Sequence, residues 1–259
     1  MGANQPQQTT LDAPLRVTNT SAGELADGDL FEPGTEIEEL LRSMLIKPKK
    51  GTVGLTGSNP QTLEMGDTFN PTLTASITQN QSGEEEDVRI DGTSVYPSPY
   101  ELTPSFQIGS PADVQASRSL QAEADFTASN YFDAFTDQSG TVVYRGKRYI
   151  FYGTNADPTT SAGVRGLAGS ILDARDGKVF TIDVQNGDTS VVFAYPKALG
   201  AVQKIEFQGA LNSDVTSDYN RSTVTVNGAP GDGTYAIDYY VYRREPNDSY
   251  SDVTIEVTI

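Results

Sequence analysis

Residues 179–196 read VFTIDVQNGDTSVVFAYP. Over VFTIDVQ, apolar and polar residues alternate with a period of two, which is how a strand with one buried face is written. Turn residues follow, and SVVFAYP begins the next β-rich run. Towards the C-terminus VQKIEFQ, STVTVNG, YAIDYYVYRR and DVTIEVTI continue the pattern, the last carrying Val253, Ile255, Val257 and Ile259. Upstream, TVVYRGKRYIFYG reads as a hairpin with Arg145-Gly146 at the turn between Val142–Tyr144 and Tyr149–Phe151. GVRGLAGSILDARDGK reads as a loop with one helical turn. Seven or eight strands separated by turn signals describe a β-sandwich over residues 139–259.

Residues 51–138 predict a second, smaller antiparallel sandwich. Its strands are LTASITQN with Leu73, Ala75 and Ile77, DVRI with Val88 and Ile90, then SFQI and LQAEADF. In front of both modules stand two different segments. Residues 1–24 are rich in Gln, Thr, Asn and Ser and read as an extended arm, with Leu11, Leu15 and Val17 as anchors for a neighbour. Residues 25–50 hold the one clear helix. Thr35 and Glu38 form a capping box, and Ile37, Leu40, Leu41, Met44 and Leu45 share one apolar face, with Pro48 as the stop. About eleven residues make ~16 Å of helix, too short to stand alone. It docks either on its own domain or on another subunit. The basic KPKK at 47–50 is the positive cluster this reading singles out. The fold class is therefore all-β: two antiparallel β-sandwich modules, Ig-like or jelly-roll-like, behind an arm and a short amphipathic helix.

Composition limits the chemistry. The chain of 259 residues has no His, no Cys and no Trp. That removes Ser-His and Cys-His nucleophile systems, almost every zinc site and any disulfide framework. A formal charge of -17 repels phosphate backbones, so a nucleic-acid groove is not expected. No apolar run approaches the ~20 residues that span a bilayer, and the polar start lacks the apolar core of a signal peptide. The expectation is a soluble protein made in a cytoplasm, with neither membrane nor nucleic acid as partner.

Three stretches offer candidate sites. Glu84, Glu85, Glu86 and Asp87 lie in a run read as a solvated loop tip, because consecutive acids do not converge on one calcium ion without special backbone geometry. DARDGKVFTID supplies Asp173, Asp176 and Asp183 around a glycine, but misses the carboxylate spacing of a calcium loop. No carboxylate pair is singled out for glycoside hydrolysis. The reading is non-enzymatic, with no cofactor, and leaves a structural calcium open. Tyr235, Tyr239, Tyr240 and Tyr242 are either an alternating core strand or a stacking surface for a sugar.

GELADGDLFEPGTEIEELLRSML at 23–45 resembles the opening of many tailed-bacteriophage structural proteins, where a GT-x-I-E-E-x-L pattern runs into a β-sandwich. RYIFYGTNADP, GLAGSILDARDGKVFTIDVQNGDTSVVFAYPKALG, STVTVNG and IDYYVYRREPNDSYSDVTIEVTI look like the end domain of the same group. The resemblance covers about residues 23–50 and 148–259 and carries no catalytic residues. It implies a virion component: a tail, baseplate, neck or short-fibre unit acting in assembly and host attachment. Its partners would be other virion proteins, symmetric copies of itself and a host surface glycan. Alternatives are a capsid decoration or head-fibre protein, and a carbohydrate-binding receptor-recognition module. A long fibre would show repeats or heptads, and this chain has none.

Overall fold

A computed structural model describes residues 15–16, 30–31, 48–209, 212–229, 233–245 and 249–259. The chain is all-β. It divides into two compact units that interleave along the sequence. One comprises residues 1–55, 75–100 and 121–140; the other comprises 56–74, 101–120 and 141–259. The cut expected near 138 lies beside the last crossing, at 140/141, while two earlier segments belong with the C-terminal unit. Strands β3 (Thr52–Gly57) and β5 (Leu73–Thr78) run through the division, so each unit takes part of both.

The predicted helix face Ile37, Leu40, Leu41, Met44 and Leu45 lies outside the described residues, as do Leu11 and Val17. Leu15 falls in a two-residue strand, β1 (Leu15–Arg16), antiparallel with β2 (Leu30–Phe31). At that point the arm's backbone partner is this same chain.

In the first unit a four-stranded sheet runs β11 (Phe135–Gln138), β10 (Ala122–Phe126), β6 (Glu85–Ile90), β7 (Thr93–Ser94). Val88, Ile90, Ala122, Ala124 and Phe126 are its buried residues. The alternate positions carry charges: Arg89 sits 2.9 Å from Asp87 and 2.8 Å from Asp125. This corrects the loop reading of the acid run. Glu85, Glu86 and Asp87 open strand β6, where Asp87 pairs with Arg89 and Glu85 accepts the Tyr100 hydroxyl at 2.7 Å. Of KPKK, Lys50 lies over the Phe135 ring, 4.8 Å from its centroid.

The second unit is built on two facing sheets. Five strands follow the order β14 (Gly169–Ile171), β13 (Ile150–Thr154), β16 (Val191–Pro196), β20 (Ile237–Arg244), β19 (Asn220–Val226). Four follow β15 (Val179–Val184), β21 (Val253–Thr258), β17 (Lys204–Gln208), β18 (Ser213–Asp214). The alternation in VFTIDV does what it predicts: Phe180, Ile182 and Val184 are buried, Val179, Thr181 and Asp183 exposed. Phe180 stands opposite Val257 and Ile182 opposite Ile255. These residues join Val191, Phe193, Tyr195 and Tyr242 in one core. Strand β16 is buried along its whole length because both of its faces are covered. Val192 and Ala194 point away from that core into a second cluster with Phe151, Val224, Val226, Tyr239 and Val241. Val164 completes this cluster from helix α1 (Ser161–Arg165), whose start is capped by the Thr160 hydroxyl accepting from Gly163 N–H. Each such side chain contributes roughly 1.5–3 kcal/mol by leaving water.

A third sheet of this unit, β4 (Thr62–Glu64), β12 (Val142–Lys147), β9 (Gln115–Leu120), overturns the hairpin expectation. Strand β12 runs straight through Arg145-Gly146, pairing with β9 antiparallel and with β4 in parallel, and never pairs with β13. Gly146 is required for packing rather than for a turn: a Cβ there would stand 2.6 Å from Met65 Sδ. The stretch SFQI forms only an isolated bridge, Phe106 to Phe69. Those two rings stack at 5.6 Å, with Tyr144 edge-on to both.

Candidate functional site

The tyrosine run is core, not a ligand platform. Tyr235, Tyr239 and Tyr242 are buried, which corrects the stacking-surface reading for all three. Alternation could not distinguish the two readings, because both faces of β20 are covered. Tyr242 stacks on Phe193 at 5.1 Å and on Tyr195 at 5.8 Å, and its hydroxyl accepts from Val202 N–H at 3.0 Å. The Tyr239 hydroxyl donates to the Tyr149 carbonyl at 3.1 Å. Burial pushes the Tyr239 and Tyr195 phenols well above their ordinary range. Only Tyr240 is half exposed, and Arg221 already covers its ring at 4.6 Å.

Two buried polar centres lie in the second unit. Arg148 is 1 % exposed, and its guanidinium meets no carboxylate but three carbonyls. Nη1 donates to Tyr235 O at 2.6 Å, Nη2 to Pro111 O at 2.7 Å and Nε to Asp113 O at 3.2 Å. Burial lowers its pKa. Beside β4, Arg165 donates to both oxygens of Glu64 and to the Asn227 carbonyl. Asp67 follows close by; burial first, then the Glu64 charge, raises its pKa. These groups hold segments together and are spent on protein partners.

The open polar site is on the third sheet. Arg145 stands opposite Ser117 and Lys147 opposite Gln115 in the β9–β12 register, so the four side chains share one face. They line a pocket of about 270 Å³. At its edge Lys147 Nζ lies 2.6 Å from Asp173, which also meets Lys178 at 3.1 Å and Arg175 at 3.2 Å. Burial alone would raise the Asp173 pKa; the Lys147 and Lys178 ammoniums outweigh it and hold it below the ordinary value. One carboxylate among three cations leaves this corner positive in a strongly acidic chain. The sequence did contain a signal: RGKR at 145–148 is as basic as KPKK. Reading Arg145-Gly146 as a turn hid it, since only a continuous strand puts Arg145 and Lys147 on one face.

The Asp173, Asp176 and Asp183 trio does not converge. Asp173 takes the cations above, Asp176 accepts from Gln203 at 3.2 Å and Asp183 from Thr254 at 2.9 Å. Among the described residues no three His, Cys, Asp or Glu side chains are grouped to hold a metal ion, and no helix is long and apolar enough to cross a membrane. No family model matches the chain, and no curated protein or solved structure is found to be similar to it.

Proposed function

We propose that the chain is a structural component of a tailed-phage virion, a tail, baseplate, neck or short-fibre unit that acts in assembly and host attachment. The observation that carries this reading is a coincidence of boundaries. The C-terminal stretch that resembles phage structural proteins spans about 148–259, and the complete two-sheet sandwich runs from Ile150 to Thr258. The resemblance thus coincides with the strands of the two facing sheets rather than with scattered strands. The core between those sheets is closed by apolar and aromatic packing without any disulfide, as suits a repeated building block made in a reducing cytoplasm.

In this reading the sandwich is the unit displayed on the particle, while residues 1–50 supply the attachment to neighbours. Virion positions are symmetric, so several copies per particle are expected. Protein mass spectrometry of purified phage particles, with antibody labelling in the electron microscope, tests it. Stoichiometric copies at a defined location on tail, baseplate or neck are the expected result. Absence of the chain from purified particles would overturn it, and labelling confined to the capsid surface would favour the decoration reading.

A further inference from the structure

We propose that the β9–β12 face bearing Gln115, Ser117, Arg145 and Lys147 binds a sugar that carries a single carboxylate, of the uronic-acid class. The inference stands on this pocket alone and does not require the virion reading.

Three observations narrow the ligand. The first is charge. Arg145 is exposed and no ion pair engages its guanidinium among the described residues, although the chain carries 35 acidic residues against 18 basic ones. Its neighbour Lys147 shares Asp173 with two further cations. A planar guanidinium with free N–H groups next to an ammonium suits a carboxylate, which it grips through two parallel hydrogen bonds. The second observation is the overall field. A net charge of -17 repels a polyanion long before it reaches one positive corner. A ligand with one negative charge pays little of that repulsion and still gains the local contact, which disfavours nucleic acids and heavily sulfated chains.

The third observation is the neutral half of the pocket. Gln115 and Ser117 are exposed, and neither side chain has a hydrogen-bond partner among the described residues. An amide and a hydroxyl both donate and accept. Sulfate can use only their donor capacity, whereas ring hydroxyls use both. Donor-and-acceptor groups beside a carboxylate-binding fork therefore describe an acidic sugar better than a bare anion. Register fixes the spacing: Arg145–Ser117 and Lys147–Gln115 are directly opposed pairs on adjacent strands, so a rigid sheet rather than a loop holds the four groups.

Glucuronate, glucose and inorganic sulfate titrated separately into isotopically labelled full-length protein, followed by NMR at low salt, test the proposal. Glucuronate is expected to shift the amide signals of Gln115, Ser117 and Lys147 saturably, with glucose and sulfate far weaker. Arg145→Gln should weaken glucuronate binding by about tenfold or more, the usual value of a charge-assisted contact. Lys204→Gln, which removes an exposed cation from β17, should leave it unchanged. Arg145 is exposed, so an unaltered melting temperature is expected for its variant; Ser117→Val tests the neutral half in the same way. Sulfate binding as tightly as glucuronate would overturn the sugar assignment. Equal binding of glucose, no shifts in the pocket, or equal losses in Arg145→Gln and Lys204→Gln would overturn the site itself.

Discussion

Arg165 and Glu64, 101 residues apart in the chain, close a two-pronged ion pair, with the two guanidinium nitrogens 2.5 and 2.8 Å from the two carboxylate oxygens. Glu64 is 6 % exposed and Arg165 32 %, so the carboxylate is the partner that has given up its water. The pair ties α1 to β4 while Arg165 also caps the Asn227 carbonyl. Removing the cation alone strands a buried charge. Arg165→Ala is therefore expected to cost about 3 kcal/mol in urea unfolding, the lower end for a broken buried pair because Arg165 is partly solvated. The double variant Glu64→Gln/Arg165→Gln should cost clearly less than the sum of the single variants.

Arg148 makes a different demand. Its three carbonyl acceptors come from Pro111, Asp113 and Tyr235, so one side chain satisfies the backbone of two separate segments. Arg148→Met keeps the volume but leaves three acceptors unpaired. A loss of about 3 kcal/mol or more is expected in denaturant unfolding. Arg148→Lys should recover little, since one ammonium cannot reproduce a planar fork aimed in three directions.

The strands were legible where one face is buried and the other wet. VFTIDV alternates because Thr181 and Asp183 meet water while Phe180 and Ile182 meet the core. Where both faces are covered the pattern lost its meaning, and the Tyr239 and Tyr242 rings could not be told from a surface platform. Arg145-Gly146 misled for a related reason. Glycine marks a turn or a close approach equally well, and the approach of Met65 to Gly146 comes from a distant segment. Nothing local separates Arg148, the most buried cation among the described residues, from its exposed neighbour Arg145. Their fates are set by which side of β12's end each one faces. The positive pocket became legible only with that register.

Two carboxylates in the second unit should bend the pH profile in opposite directions. Asp173 is held below its ordinary value, so the stability it contributes is full above the unfolded pKa of about 3.9 and is lost as pH falls through the folded value. Asp67 is raised, so its contribution is present at low pH and is lost as pH rises through the folded value. Asp67→Asn is accordingly expected to raise the melting temperature at pH 7 and to change it little at pH 3. Asp173→Asn should lower it at pH 7, with the difference shrinking towards acid. Thermal unfolding of both variants between pH 3 and pH 8 checks the signs; parallel profiles would contradict the assignment.

Tyr219 carries the one buried side-chain polar atom without a hydrogen-bond partner among the described residues, its hydroxyl oxygen. The ring is well placed in the sandwich core, 5.6 Å from Phe193, and burial pushes the phenol far above its ordinary value. The ring therefore stabilises and the hydroxyl opposes, since a buried polar group without a partner costs roughly 1–3 kcal/mol. Tyr219→Phe deletes the opposing part and keeps the packing. It is expected to stabilise the protein by about 1 kcal/mol, raising the melting temperature by roughly 2–4 °C for a chain of this size. Tyr239→Phe is the matched control. Its hydroxyl has the Tyr149 carbonyl as acceptor, so its loss is expected to destabilise by about 1 kcal/mol. Differential scanning calorimetry of the two variants at pH 7 decides the point. Destabilisation of Tyr219→Phe to the same extent as Tyr239→Phe would mean that the Tyr219 hydroxyl is satisfied in solution, by a bound water or by a neighbouring chain.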